Sequence, residues 1–295
     1  MSDPAQPLKD IKKDKEFLVG IDSDGCAFDT MEIKHKECFI PNIINYWDLQ
    51  PVSKYAREAG EFVNLYSKWR GINRWPALLM VFDLLAKRPD VLKRGWKMPD
   101  VQVIRDWAAK ETKLSNNTLK AYIETNPDPI LKKAITWSEA VNSSIADMVH
   151  DVPPFPFMRE SLEKLSKTAD AIVCSQTPTE ALAREWQEHS IDGYVKVIAG
   201  QEMGSKAEHL KLAMSGRWDS DHVLMIGDAP GDLKAARANG CRFYPINPGA
   251  EDASWQRFYE EAYDRFVSGT YAGDYEEKLI AEFDTYLPEH PPWEK

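Results

Sequence analysis

The stretch that decides the fold is "FLVGIDSDGCAFDT", residues 17–30. Five apolar residues run without a break and end on Asp22, with Asp24 two positions on and Gly25 behind it. A continuous apolar run of this length reads as a strand buried on both faces, the pattern of a parallel sheet. Two carboxylates where such a strand leaves the core need a counter-charge or a chemical purpose. Working outward, four more short apolar runs share the character of the first: "AIVC" (171–174), "VKVIA" (195–199), "HVLMIG" (222–227) and "CRFYPI" (241–246). Helical patterns separate them. Strands alternating with helices predict a doubly wound, Rossmann-like α/β sheet.

The long segment between the first and second runs carries almost no strand pattern. Residues 32–46, 52–69, 76–88, 100–112, 116–124 and 128–149 read as helices, punctuated by "QPV", "RGINRWP", "KRPD", "KMPD", "NN" and "NPDP". A crossover helix needs about a dozen residues, so this insertion is expected to be a second, all-helical domain. The predicted organisation is a flexible N-terminal segment (1–16), an α/β core (17–31 and 153–250), a helical cap (32–152) and an acidic helical C-terminal extension (251–295). "DVPPFPF" (151–157) is the return linker. Two helices are expected in the extension, at about 253–268 and 274–287, with "PEHPPWEK" loose after them.

The formal charge of −10 argues against broad nucleic-acid binding. The extension alone holds 12 acidic and 4 basic residues, so the rest of the chain is close to neutral. No apolar run reaches the roughly 18–20 residues that span a bilayer. The N-terminus has no apolar segment like a signal peptide's, which predicts a cytoplasmic protein that does not enter membranes. The four scattered cysteines (Cys26, Cys38, Cys174, Cys241) read as free thiols, with no spacing for a zinc site.

Ligands of open parallel sheets bind outside the carboxyl ends of the strands. There the first strand delivers Asp22 and Asp24, the second "SQTPTE" with Ser175, and the fourth "GDAPGD" with Asp228 and Asp232. The loop after the third leads to "GSKAEH" and Lys206. Carboxylates suit a hard cation such as magnesium; a hydroxyl and an ammonium suit phosphoryl oxygens. Thr177 and Glu180 have capping-box spacing with Pro178 between them, which would occupy Thr177 as a helix cap and leave Ser175 to face the site. Ser205 and Glu208 form a second box and set Lys206 in a first helical turn, against the helix dipole. Simpler readings fit less well. "DSDG" fails as a calcium loop, because Cys26 and Ala27 take the fifth and sixth positions. "GQEMGSK" has too short a glycine spacing for a phosphate-binding P-loop.

This ordered set resembles the haloacid dehalogenase superfamily. Asp22-Ser23-Asp24-Gly25 matches its first motif, Ser175 its second, Lys206 its third, and Gly227-Asp228 with Asp232 its fourth. The resemblance covers about residues 17–30 and 153–246. The 31 residues from Ser175 to Lys206 leave no room for a second cap, so the chain resembles members with a helical cap after the first motif. It departs from the pattern at Cys26, where Thr or Val is usual, and at Ala207, where Pro is common.

The resemblance implies phosphoryl transfer from a small phosphorylated metabolite, with Asp22 as nucleophile and Asp24 as acid and then base. Magnesium would sit on Asp22, the Asp24 carbonyl and Asp228, with Asp232 completing or orienting that shell. Ser175 and Lys206 would hold the equatorial oxygens. A carboxylate at position 24 favours a phosphatase over a dehalogenase, since a leaving alkoxide needs a proton. A phosphomutase, and a non-catalytic binding protein on the same fold, are the alternatives. The cap is expected to close over the core and select the substrate. Arg70 and Arg74 are candidates for a second anionic group, beside a structural reading in which they lie over Trp69 and Trp75. The sequence leaves the oligomeric state open.

Overall fold

The computed structural model describes residues 3–294. It divides into two compact units. One comprises the chain up to Thr30 together with Asp151–Leu287; the other comprises Met31–His150 and the residues from Pro288 onward.

The first unit is built on five parallel strands: β1 (Phe17–Ile21), β2 (Ala169–Cys174), β3 (Val197–Ala199), β4 (Val223–Gly227) and β5 (Arg242–Pro245). Their order is β3-β2-β1-β4-β5, so the fold is α/β and Rossmann-like. Every residue of β1 is buried, as its unbroken apolar run requires. Alternate residues go to opposite faces. Phe17, Val19 and Ile21 join one apolar layer with Val173, Ile226, Trp186, Trp255 and Phe258. Leu18 joins the other with Ile172, Met225, Leu210, Ala235 and Phe283. β1 lies between β2 and β4, where the winding reverses. Its register pairs Ile21 with Val173 on one side and with Ile226 on the other. The carboxyl ends of β1 and β4 therefore sit together at the switch point, where ligand crevices of such sheets form.

The segment 251–295 is divided between the units. Helical turns from Glu251 to Val267 and the helix Asp274–Tyr286 belong to the α/β unit. Trp255, Phe258 and Tyr263 bury against one sheet layer, and Phe283 and Leu287 against the other. The expectation of a loose "PEHPPWEK" is corrected. Trp293 packs edge-on against Phe62 at 5.8 Å and lies 4.4 Å from the Arg88 guanidinium, which also faces Tyr55. Apolar residues spaced within a proline-rich tail give no periodic signal, so this docking was not legible.

The second unit is built of helices. A run from Thr30 to Tyr46 contains a π turn, Lys34–Phe39. Ser53–Asn64, Arg74–Lys87, Gln102–Lys110, Asn116–Thr125 and Pro129–Met148 follow. "NPDP" works as its chemistry predicts. Asp128 accepts from the Ile130 and Leu131 amides, and Pro129 takes the first helical position. Trp75 anchors the core, with Trp107 edge-on at 5.3 Å and Trp137 at 5.7 Å. No helix among the described residues is long and apolar enough to cross a membrane.

Because these three rings interlock, Trp137→Ala should cost about 3–5 kcal/mol of stability. Chemical denaturation checks this; a loss below about 1 kcal/mol would show that the core does not rest on the triple.

Candidate active site

The loop after β1 is wound on one residue. The Ser23 carbonyl accepts from the amides of Cys26, Ala27 and Phe28, and Gly25 donates back to the Phe28 carbonyl at 2.8 Å. Gly25 has φ +74°, a left-handed turn that favours glycine. The Asp22 amide continues the β1–β4 ladder by donating to Ile226 at 3.0 Å. The Asp22 side chain is thereby set at the switch point, 4% exposed.

Asp22, Asp228 and Asp232 come together there, all buried, with carboxylate oxygens within 4.8 Å of one another. Lys206 reaches them from the helix Lys206–Met214, whose start is fixed by the Ser205–Glu208 capping box as its sequence predicts. Its ammonium lies 2.6 Å from Asp22 Oδ2 and 2.6 Å from Asp232 Oδ1. Burial pushes the Asp22 carboxyl well above its usual range; Lys206 draws it down, and Asp232 and Asp228 push it up again. Burial disfavours the Lys206 charge, but the same three carboxylates hold it protonated well above the ordinary lysine value.

Gly227 is what lets Asp232 in. A Cβ at Gly227 would stand 2.3 Å from Asp232 Cβ and Cγ. The other Asp232 oxygen accepts from the Ala229 amide at 3.1 Å, closing the first turn of the helix Pro230–Ala238.

Asp24 has different company. Its two oxygens accept one hydroxyl each, from Thr30 at 2.6 Å and from Thr177 at 2.7 Å. This corrects the expectation that Thr177 caps the following helix. That helix runs Thr179–Glu188 behind Pro178, without a side-chain cap. The long-range carboxylate outcompetes a local amide, because a charge-assisted bond is about twice as strong as a neutral one. Ser175 is 2% exposed; its amide donates to Ala199 and its Oγ accepts from the Thr177 amide at 3.2 Å, which leaves the hydroxyl proton to point elsewhere.

Arg70 and Arg74 belong to the helical unit. Arg70 is buried and donates to the Leu65 carbonyl at 2.9 Å. Arg74 donates to Ser138 and Asn142 on the helix Pro129–Met148 and lies 5.0 Å from the Phe39 ring. Burial lowers its pKa to about 10. Cys26 packs: its thiol is fully buried, its carbonyl accepts from the Trp255 indole at 2.7 Å, and burial together with nearby carboxylates pushes the thiol pKa well up. Thr30, and the pairing of Thr177 with Asp24, were missed. Thr30 carried no motif, and Thr177 carried a misleading one.

The donor set suits a divalent cation. When all three buried carboxylates are ionised they exceed the Lys206 ammonium by two negative charges, in a place that water screens poorly. Hard carboxylate oxygens are the ligands such a cation takes.

Comparison with known proteins gives a family match. The family model described as haloacid dehalogenase-like hydrolase matches residues 101–246, a span that takes in Ser175, Lys206, Asp228 and Asp232. The match is to a family of hydrolases and spans just under half of the chain. No curated protein matches it. Among solved structures it is similar to a haloacid dehalogenase-like family hydrolase from Streptococcus pneumoniae. The identity is 14% and the TM-score 0.46, over 83% of this chain and 91% of that one. It is also similar to a subfamily IA hydrolase from Geobacter sulfurreducens (18%, TM-score 0.41, 79% and 89%). A third is CbbY from Rhodobacter sphaeroides, solved with phosphate (17%, TM-score 0.41, 78% and 86%).

Gly227→Ala should displace Asp232 and cost about 1–3 kcal/mol, as overpacking does; an unchanged melting temperature would show that the contact relaxes freely. All four thiols are buried with raised pKa values, Cys241 to about 11. The thiolate is the reactive form. At pH 8 the native protein should therefore resist DTNB and release four equivalents only when unfolded. Native labelling of Cys26 would show that the loop opens.

Proposed function

We propose that the chain is a magnesium-dependent phosphatase acting on a small phosphorylated metabolite through an aspartyl-phosphate. The observation that carries this is the unequal treatment of two carboxylates two residues apart. Asp22 is packed among cation-binding groups, while the hydroxyls of Thr30 and Thr177 each donate to Asp24.

Asp22 attacks phosphorus, and the bond from phosphorus to the ester oxygen breaks. Asp24, entering the step protonated, gives its proton to that oxygen. Asp24 then takes a proton from water, which attacks phosphorus, releases orthophosphate and restores the Asp22 carboxylate. A hydroxyl partner can turn from donor to acceptor, so Thr30 and Thr177 satisfy Asp24 in both protonation states. Ser175 and Lys206 are placed to take phosphoryl oxygens as charge redistributes. For Lys206 this means exchanging a carboxylate contact for a phosphoryl one. Asp22, Asp228 and Asp232, with the Asp24 carbonyl, would hold magnesium, which supplies the charge that lets an anionic nucleophile approach an anionic phosphoryl group.

Hydrolysis of p-nitrophenyl phosphate by the purified chain tests the reading. Activity should need magnesium, vanish with EDTA, and fall by about a thousandfold or more in Asp22→Asn, as when a nucleophile is removed. Asp24→Asn should fall by about a hundredfold or more, the usual worth of an acid–base group. Turnover that survives Asp22→Asn would sink the phosphatase assignment. Product that keeps its phosphate, made only with a bisphosphate primer, would replace it with a phosphomutase.

A further inference from the structure

Between the two working carboxylates stands Ser23, whose side chain the proposed chemistry does not use. It is fully buried, and a buried hydroxyl left without partners costs about 1–3 kcal/mol. Its partners are side chains on the helix that follows Ser175. The Trp186 indole donates to Ser23 Oγ at 3.0 Å, and Ser23 Oγ donates to Glu185 Oε2 at 3.0 Å. The indole occupies the lone-pair side of the hydroxyl, so its proton must go to an acceptor, and Glu185 fixes which way it points.

The same helix grips the loop at its far end. Trp186 meets Phe28 edge-on at 5.9 Å, and His189 lies over Phe28 at 5.5 Å. Glu188 accepts from the Asp151 amide at 3.0 Å, and the Phe155 amide donates to Ala27 at 3.0 Å. Thr177, just before this helix, holds Asp24. The segment Thr177–His189 thus touches the loop at Ser23, Asp24 and Phe28. Ser23 passes the constraint to the nucleophile, because its amide donates to Asp22 Oδ1 at 2.8 Å.

We propose that Glu185 and Trp186 are positioning residues for the phosphoryl transfer. Acting through Ser23, they fix the direction of Asp22 and its spacing from Asp24. Their bonds to Ser23 are the link to the carboxylates that do the chemistry. The inference rests on the function proposed above for its kinetic consequence, and on the hydrogen bonds alone for its structural part.

Two readouts on the full chain test it. The first is p-nitrophenyl phosphate kinetics with magnesium. Ser23→Ala and Glu185→Ala should each lower kcat about tenfold with KM little changed, since small misplacements of a reacting group are costly. The double variant should be no slower than the slower single, as expected of residues that act through one contact. Glu185→Gln, which keeps an acceptor, should recover most of the loss. The second readout is the Trp186 indole N–H resonance by NMR. It should shift and lose exchange protection in Ser23→Ala. Multiplicative losses, full kcat in Glu185→Ala, or a lowered melting temperature with kcat retained would overturn the proposal. Should the wild type hydrolyse no aryl phosphate, the phosphatase reading falls while the indole resonance still decides the brace. An unmoved resonance in Ser23→Ala would refute it.

Discussion

Three buried carboxylates and one largely buried ammonium, at the end of a strand pair, set the terms for the α/β unit. Asp22, Asp228 and Asp232 cannot be packed within 4.8 Å of one another unless something offsets their repulsion. Lys206 offsets part of it through two contacts of 2.6 Å. Much of the surrounding structure is needed to keep those four groups in register. The ladder between β1 and β4 sets Asp22 beside Gly227 and Asp228. The missing side chain at Gly227 admits Asp232. The Ser205–Glu208 box fixes where the lysine helix begins. The remaining charge excess is the strongest physical reason to place a divalent cation here.

Much of this was legible because it is local. β1 is an unbroken apolar run, and its end can be read without knowing its neighbours. The Ser205–Glu208 spacing encodes a cap within four residues and forms as read, and "NPDP", read as a break between helices, starts one with the Asp128 cap and Pro129. The parallel sheet followed from alternation alone. What could not be read depends on partners far along the chain. Thr177 has a plausible cap three residues away but binds a carboxylate 153 positions distant. Trp255 reaches the carbonyl of Cys26 across 229 residues. The bond from Ser23 to Glu185 spans 162. Residue type and spacing carry no trace of such pairs. The acidic extension misled in another way. Its charges sit mostly on its outer surface, while the aromatic residues between them complete both sheet layers.

The two aspartates of "DSDG" differ in what surrounds them, and the roles proposed for them rest on that difference. Burial and the neighbouring acids hold the Asp22 carboxyl well above its usual range, and Lys206 opposes them. A bound cation would tip Asp22 toward the ionised form that a nucleophile needs. Asp24 has two hydroxyl partners, and each can donate to a carboxylate or accept from a carboxylic acid. Thr30 and Thr177 can therefore stay bonded to Asp24 in both protonation states. Ser23 keeps the two environments apart. Its amide binds Asp22, its hydroxyl is spent on Trp186 and Glu185, and it has no hydrogen left to blur the distinction.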